Sequence, residues 1–347
     1  MFAITYLVLA LVALIFSSVT AAPTTHSTPY KQVAQYTHPN FFDGFTLYSD
    51  ADPTYGFVDY VDEQTAKDEH LTGWIYREGP NTTTAFIGAD STGIFPSGRN
   101  SVRLTSKKEF KVGMLAVIDL IHIPVGSGPG GSGLWPAIWF LSPEATWPYG
   151  GEIDILEYVN PTKESSFNAM TLHTGPGCNV DNTPNKYLGE LTNGNTDCSY
   201  SDTGNTGSMG CSIPAPLKYS INGHPFATAG PDFNAQGGGT YVAEWTAEGI
   251  SVWLFDRYNL PHDIHDQRPN PKRWSQKPLA KFAGKGCDYT KSFLPMNLIV
   301  NVDVCGSWAG EVYPGGAEAC NEFAANNPEA YREAYFEFGG ILMYQSE

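Results

Sequence analysis

Short runs of alternating or continuous apolar residues recur along the chain between clusters of Gly, Pro, Asn and Asp. They fall at Ser101–Leu104, Leu115–Ile123, Ala137–Leu141, Tyr241–Trp245, Ser251–Phe255, Met296–Val304 and Tyr335–Tyr344. Period-two patterning bounded by turn-forming residues predicts strands. Helical periodicity is convincing only over Ala317–Ala334, a short and peripheral element. The fold class read from this pattern is all-β. The region from Gly175 to Gly239, rich in Gly, Asn, Thr and Pro, reads as long loops stapled by Cys178, Cys198 and Cys211.

The first residues break this rhythm. An uncharged apolar run from Met1 to Phe16 leads to small residues ending at Ala21-Ala22, too short a span to cross a bilayer and patterned as a signal peptide over 1–22. Residues 23–37, dominated by Pro, Thr, His and Ser, read as a leader. A single domain over 38–347 then follows, with its last strand signal almost at the final residue.

One strand signal carries acids where a core-facing pattern does not call for them. In Gly150-Gly151-Glu152-Ile153-Asp154-Ile155-Leu156-Glu157, side chains alternate between faces, so Glu152 and Asp154 share a face and Ile153 and Ile155 point to the core. Glu157 lies at odd spacing from Glu152 and in a regular strand would be buried alone, which is costly. A β-bulge at Ile155-Leu156 resets the alternation and brings all three acids to one surface. Close carboxylates repel, so at least one holds its proton to higher pH. A protonated and an ionised carboxyl roughly 5–5.5 Å apart is the condition for a retaining glycosidase. The competing reading is an exposed strand decorated with acids.

This segment, with Leu134-Trp135-Pro136-Ala137-Ile138-Trp139-Phe140-Leu141, Trp147-Pro148-Tyr149, Thr171-Leu172-His173, Glu244-Trp245-Thr246 and Leu298-Ile299-Val300-Asn301-Val302-Asp303-Val304, resembles glycoside hydrolase family 16, in its fungal secreted endo-1,3(4)-β-glucanase or laminarinase branch. The resemblance implies a jelly-roll sandwich of two antiparallel sheets with a concave cleft open at both ends. It implies an endo-β-glucanase acting on internal 1,3 bonds, and adjacent 1,4 bonds, of neutral glucans such as laminarin and lichenin, with retention of configuration. On the same ground Glu152 is the expected nucleophile and Glu157 the expected acid and base. Asp154 between them would tune the nucleophile. The residues alone do not choose between the two glutamates.

Trp135, Trp139, Trp147, Trp245 and Trp308 are candidate platforms for the apolar faces of glucose rings. Trp139, Trp147 and Trp308 are the three preferred for the cleft. His173 is expected on a strand beside the acidic one, near the reacting sugar, and Asn301 to bond a sugar hydroxyl or to complete a buried network. Gly126-Ser127-Gly128-Pro129-Gly130-Gly131 matches a dinucleotide fingerprint but contains Pro and leads into a strand, so it reads as a plain loop. His262-Asp263-Ile264-His265-Asp266 has metal-ligand residue types without a ligand spacing. No cofactor and no metal site are implied.

Composition narrows the partners. With 36 acidic against 20 basic residues the formal charge is -16, which repels nucleic acid, anionic lipid and polyanionic polysaccharides and suits a neutral substrate. Six cysteines without a Cys-x-x-Cys pair, and a glycosylation acceptor at Asn81-Thr82-Thr83, fit disulfides in an oxidising, extracellular setting; six half-cystines allow 15 pairings. The expectation is a secreted monomer that binds β-glucan and neither nucleic acid nor membrane. A transferase that moves the glycosyl unit to another sugar, and a glucan lectin without chemistry, are the two rivals.

Overall fold

The structure, a computed structural model, describes residues 29–79, 82–160, 167–201, 209–221 and 223–346. Residues 1–22, read as a signal peptide, and Asn81, read as a glycosylation acceptor, lie outside these residues. Two antiparallel sheets pack face to face. One has seven strands in the order Cys211–Pro214, Ala169–His173, Glu152–Glu157, Leu134–Leu141, Met296–Val304, Arg103–Phe110 and Phe45–Leu47. The other runs Ala280–Ala283, Gly249–Phe255, Gly239–Thr246, Met114–His122, Tyr335–Ser346, Thr84–Gly88 and Thr72–Ile75, with Tyr30–Tyr36 also paired to Tyr335–Ser346.

The strands read from the sequence are present, most of them lengthened by a few residues, except that Ser101–Leu104 is divided at Val102 between Arg99–Ser101 and Arg103–Phe110, which pair in different sheets. Strand pairing fixes backbone at positions whose side chains carry no apolar signal, such as Ser106, paired with Phe45, and Glu109, paired with Asn297, in Arg103–Phe110. Three departures have physical reasons. Tyr30–Tyr36, read as part of the leader, is a strand because the edge of Tyr335–Ser346 offers it a ladder. The stretch read as long loops carries the strands Cys211–Pro214, Lys218–Ile221 and His224–Ala227 and the helix Gly230–Ala235; these are too short for periodicity to show. The helical segment read over Ala317–Ala334 ends as an α-helix at Gly316–Asn326 and resumes as a 3-10 turn at Pro328–Tyr331, since Pro328 cannot donate to the turn before it.

The core lies between the sheets. Ile138, Phe140, Ile153, Leu298, Val300 and Val302 from the seven-stranded sheet meet Ile118, Leu120, Tyr241, Ala243 and Val252 from the other, all buried. A second cluster, including Val117, Val242, Trp253 and Phe255, covers the far side of the eight-stranded sheet, where Ile264 and Trp274 close over it. That placement explains the His262–Asp266 segment: Asp263 accepts from Trp274 Nε1 at 2.9 Å and from the Asn270 amide at 2.8 Å, fastening the covering loop. The Gly126–Gly131 stretch is a loop running into a 3-10 turn and then the strand Leu134–Leu141, as its Pro requires.

The six cysteines pair as Cys178–Cys287, Cys198–Cys211 and Cys305–Cys320. Cys178–Cys287 joins two loops, Cys198–Cys211 ties a loop to the edge strand Cys211–Pro214, and Cys305–Cys320 ties the helix Gly316–Asn326 to the end of Met296–Val304. With the eight-stranded sheet covered, the outer face of the seven-stranded one is left to carry function.

Candidate active site

Alternation along three adjacent strands decides which side chains reach that outer face. Trp135, Ala137 and Trp139 point away from the core that takes Leu134, Ile138 and Phe140; Asn301 and Asp303 point away from the core that takes Val300 and Val302. On Glu152–Glu157 the register against Leu134–Leu141 runs Glu152 to Leu141, Ile153 to Phe140 and Asp154 to Trp139, then jumps to Leu156 opposite Ile138 and Glu157 opposite Ala137. Ile155 is the extra residue of a bulge. Ile155 and Leu156 are both fully buried, and Glu152, Asp154 and Glu157 share the outer face with Trp139. Entry to the strand depends on Gly151, whose φ of 81° and closeness to the Ser292 carbonyl, 2.6 Å from where a Cβ would stand, admit no side chain.

Each glutamate has an indole partner. Trp147 Nε1 donates to Glu152 Oε2 at 2.6 Å, and Trp135 Nε1 donates to Glu157 Oε1 at 2.7 Å. Asp154 is buried between them; its Oδ2 makes no hydrogen bond, and His173 Nε2 stands 3.5 Å from it. Strand pairing puts His173 directly across from Glu152. Desolvation is the largest influence on all three acids and Asp154's charge the next on both glutamates, so all three carboxyls hold protons well above the ordinary range, Glu152 up to about 8. The indole N–H donors oppose this by favouring the ionised glutamates. The cluster can therefore hold protonated and ionised carboxyls side by side near neutral pH.

Aromatic rings flank the acids on two sides. Trp147, 40% exposed, packs on Tyr200 with ring centroids 4.4 Å apart and lies 5.9 Å from the His173 ring. On the other side Trp308 meets Trp135 edge to face at 5.8 Å. Trp139 is held on its edge: its Nε1 donates to Asn301 Oδ1 at 2.7 Å, and Asn301 Nδ2 donates to the Tyr60 hydroxyl at 3.2 Å. Asn301 is buried with both ends of its amide bonded inside the protein, the network alternative of the two open to it. Trp245 is corrected from a candidate platform to a core residue: it is buried and donates to the Tyr289 carbonyl at 3.0 Å.

Sequence reasoning did not single out Arg103, whose guanidinium sits 4.5 Å from the Tyr48 ring centre and 5.1 Å from that of Trp139. Nor did it find Tyr200, brought to Trp147 from a loop closed by Cys198–Cys211. Neither carries a motif, and both depend on contacts between distant segments. Glu152, Asp154 and His173 also offer donor atoms within 4.8 Å of one another, a spacing a cation could use. Glu152, one of the three, is the expected nucleophile, and Asp154 the acid expected to tune it.

Residues 45–344 match the model described as the XgeA-like catalytic domain of glycoside hydrolase family 16. The chain belongs to glycoside hydrolase family 16. Among family relatives, a probable glycosidase of Schizosaccharomyces pombe is 36% identical over 93% of this chain and 71% of its own length. An endo-1,3(4)-β-glucanase of Arthroderma benhamiae is 33% identical over 92% of this chain, which spans 65% of that relative. Several Aspergillus relatives named probable endo-1,3(4)-β-glucanases are spanned to only about half their length. Two family 16 structures match nearly end to end. Laminarinase 16A of Phanerochaete chrysosporium, with 6-O-glucosyl-laminaritriose in both donor and acceptor sites, is 38% identical with a TM-score of 0.75, covering 91% of this chain and 99% of its own. An elongating family 16 β-1,3-glucosyltransferase is 33% identical with a TM-score of 0.76, covering 91% of this chain and 100% of its own.

Proposed function

We propose that this family 16 chain is a secreted, monomeric endo-β-glucanase cleaving internal β-1,3 bonds, and adjacent β-1,4 bonds, in neutral glucans such as laminarin and lichenin, with retention of configuration. The observation that carries the reading is the bulge at Ile155, which sets Glu152 and Glu157 on one face with Asp154 buried between them. Glu152 attacks the anomeric carbon while Glu157 gives its proton to the departing glycosidic oxygen, leaving a glycosyl ester on Glu152. Glu157, now ionised, takes a proton from water, which displaces Glu152 and frees the sugar. Asp154, buried beside Glu152, tunes that nucleophile through its charge. Trp139, Trp147 and Trp308 supply ring faces for glucose units, and Asn301 fixes the Trp139 ring. The net charge of -16 and the three disulfides support a neutral polymer as substrate and an oxidising destination. No described helix is long and apolar enough to cross a membrane.

The test is reducing-sugar release from laminarin and lichenin by the parent, Glu152→Ser and Glu157→Gln. Loss of a positioned acid is expected to cost about 10²–10⁴-fold, with both variants folded. Proton NMR of fresh digests should show the β-anomer first; an initial α-anomer would overturn retention. Transfer to a sugar acceptor is the second reading, favoured by the likeness to the glucosyltransferase along its whole length; lengthened products at high oligosaccharide concentration would reveal it. A binding-only lectin is disfavoured because it gains nothing from three mutually repelling acids.

A further inference from the structure

We propose that Asn168 is a positioning residue that fixes where Glu157 stands relative to Glu152. Along most of an antiparallel ladder each peptide group is satisfied by the neighbouring strand. Here the neighbour Ala169–His173 pairs with the acidic strand only at Glu152–His173 and Ile153–Leu172. Beyond Ile153 the bulge throws the backbone out of register, and Ile155 C=O and Glu157 N–H are left facing a neighbour whose own peptide groups do not meet them.

The Asn168 side chain fills that gap. Its Nδ2 donates to the Ile155 carbonyl at 2.7 Å and its Oδ1 accepts from the Glu157 amide at 2.9 Å. A primary amide offers an N–H donor beside a C=O acceptor, as a peptide group does, so the side chain stands in for the missing peptide across the extra residue. Asn168 is fully buried, and its main-chain carbonyl is engaged on its other side by the Ala215 amide at 2.7 Å. Anchored from both directions, it pins the backbone on either side of Leu156. That holds the bulge open by one residue, which is what separates a Glu157 on the outer face from a Glu157 in the core. A group misplaced by 1 Å can cost roughly 10²-fold in rate.

The inference rests on the reading of Glu157 as proton donor, and the experiment separates the two. Parent, Asn168→Ala, Asn168→Asp and Glu157→Gln are compared by kcat/KM on laminarin, whose leaving group needs a proton, and on a dinitrophenyl β-laminarioside, whose leaving group does not. If the clamp acts through Glu157, Asn168→Ala loses about 10–100-fold on laminarin and about 3-fold or less on the aryl glycoside. Equal losses on both substrates, or no loss on either, overturn it. Should Asn168→Ala fail to fold, Asn168→Asp decides. Its carboxylate still accepts from Glu157 N–H but repels the Ile155 carbonyl, while the protonated form restores the donor. Its laminarin activity relative to the parent should therefore rise as pH falls; a pH-independent ratio overturns the proposal. Glu157→Gln retaining laminarin activity would sink the proton-donor reading instead.

Discussion

Trp147 donates its indole N–H to Glu152 at 2.6 Å while its ring, 40% exposed, leans on Tyr200. One side chain therefore offers an edge to the carboxylate and a face to solvent. The two parts can be removed separately. Trp147→Phe keeps a ring and deletes the donor, so the ionised form of Glu152 loses support and its pKa moves further up. The acid limb of the kcat/KM profile should shift to higher pH, with KM nearly unchanged. Trp147→Ala should add a rise in KM of about 10-fold, the worth of about 1–1.5 kcal/mol of ring contact.

Trp135 bears the same relation to Glu157, at 2.7 Å. Trp135→Phe should raise the Glu157 pKa and move the alkaline limb of the profile upward. An alkaline limb that stays in place would show that the bond does not govern the proton on Glu157.

The raised pKa of Glu152 also has a consequence for stability. Its carboxyl titrates near 4.5 when unperturbed and at about 8 in the fold, so the contribution is fully present below about 4.5 and is lost as pH rises through about 8. Glu152→Gln removes the ionisation. The variant should match the parent in thermal unfolding at pH 4 and exceed it at pH 8.5 by on the order of 1 kcal/mol after solvent screening, or about 1–2 °C for a chain of this size. Equal melting temperatures at both pH values would remove the assignment.

Asn301 is buried with Trp139 on one end of its amide and Tyr60 on the other. Asn301→Ala leaves two donors or acceptors without partners, at a cost of about 1–3 kcal/mol in unfolding free energy, and frees the Trp139 ring to turn. The expected signature is a lower melting temperature together with a higher KM. Asn301→Asp keeps the acceptor for Trp139 Nε1 and should restore much of the KM.

Cys198–Cys211 closes the loop that brings Tyr200 to Trp147. Cys198→Ser with Cys211→Ser should raise KM for laminarin, while Cys305→Ser with Cys320→Ser, on the Gly316–Asn326 helix, should lower stability and touch KM less. Kinetics and thermal unfolding on the two double variants check this directly.

The sequence by itself determined the sheet-rich class and the face each strand residue takes, because a period of two is local and survives without knowledge of neighbours. It determined the bulge as well: an odd spacing between Glu152 and Glu157, with Ile153, Ile155 and Leu156 all apolar, has few other solutions. The helix in the 317–334 region was legible for the same reason, though not its break at Pro328. What only the tertiary structure decided is which partner meets each of those faces. Trp245 and Trp139 carry the same kind of signal on their strands, yet one fills the core between the sheets and the other faces the acids. Asn168, Arg103 and Tyr200 gain their places through contacts between segments far apart in the chain or across a gap in a ladder. Alternation tells a side chain which way to point; strand order and register, set by burial of both sheets at once, tell it what it will find there.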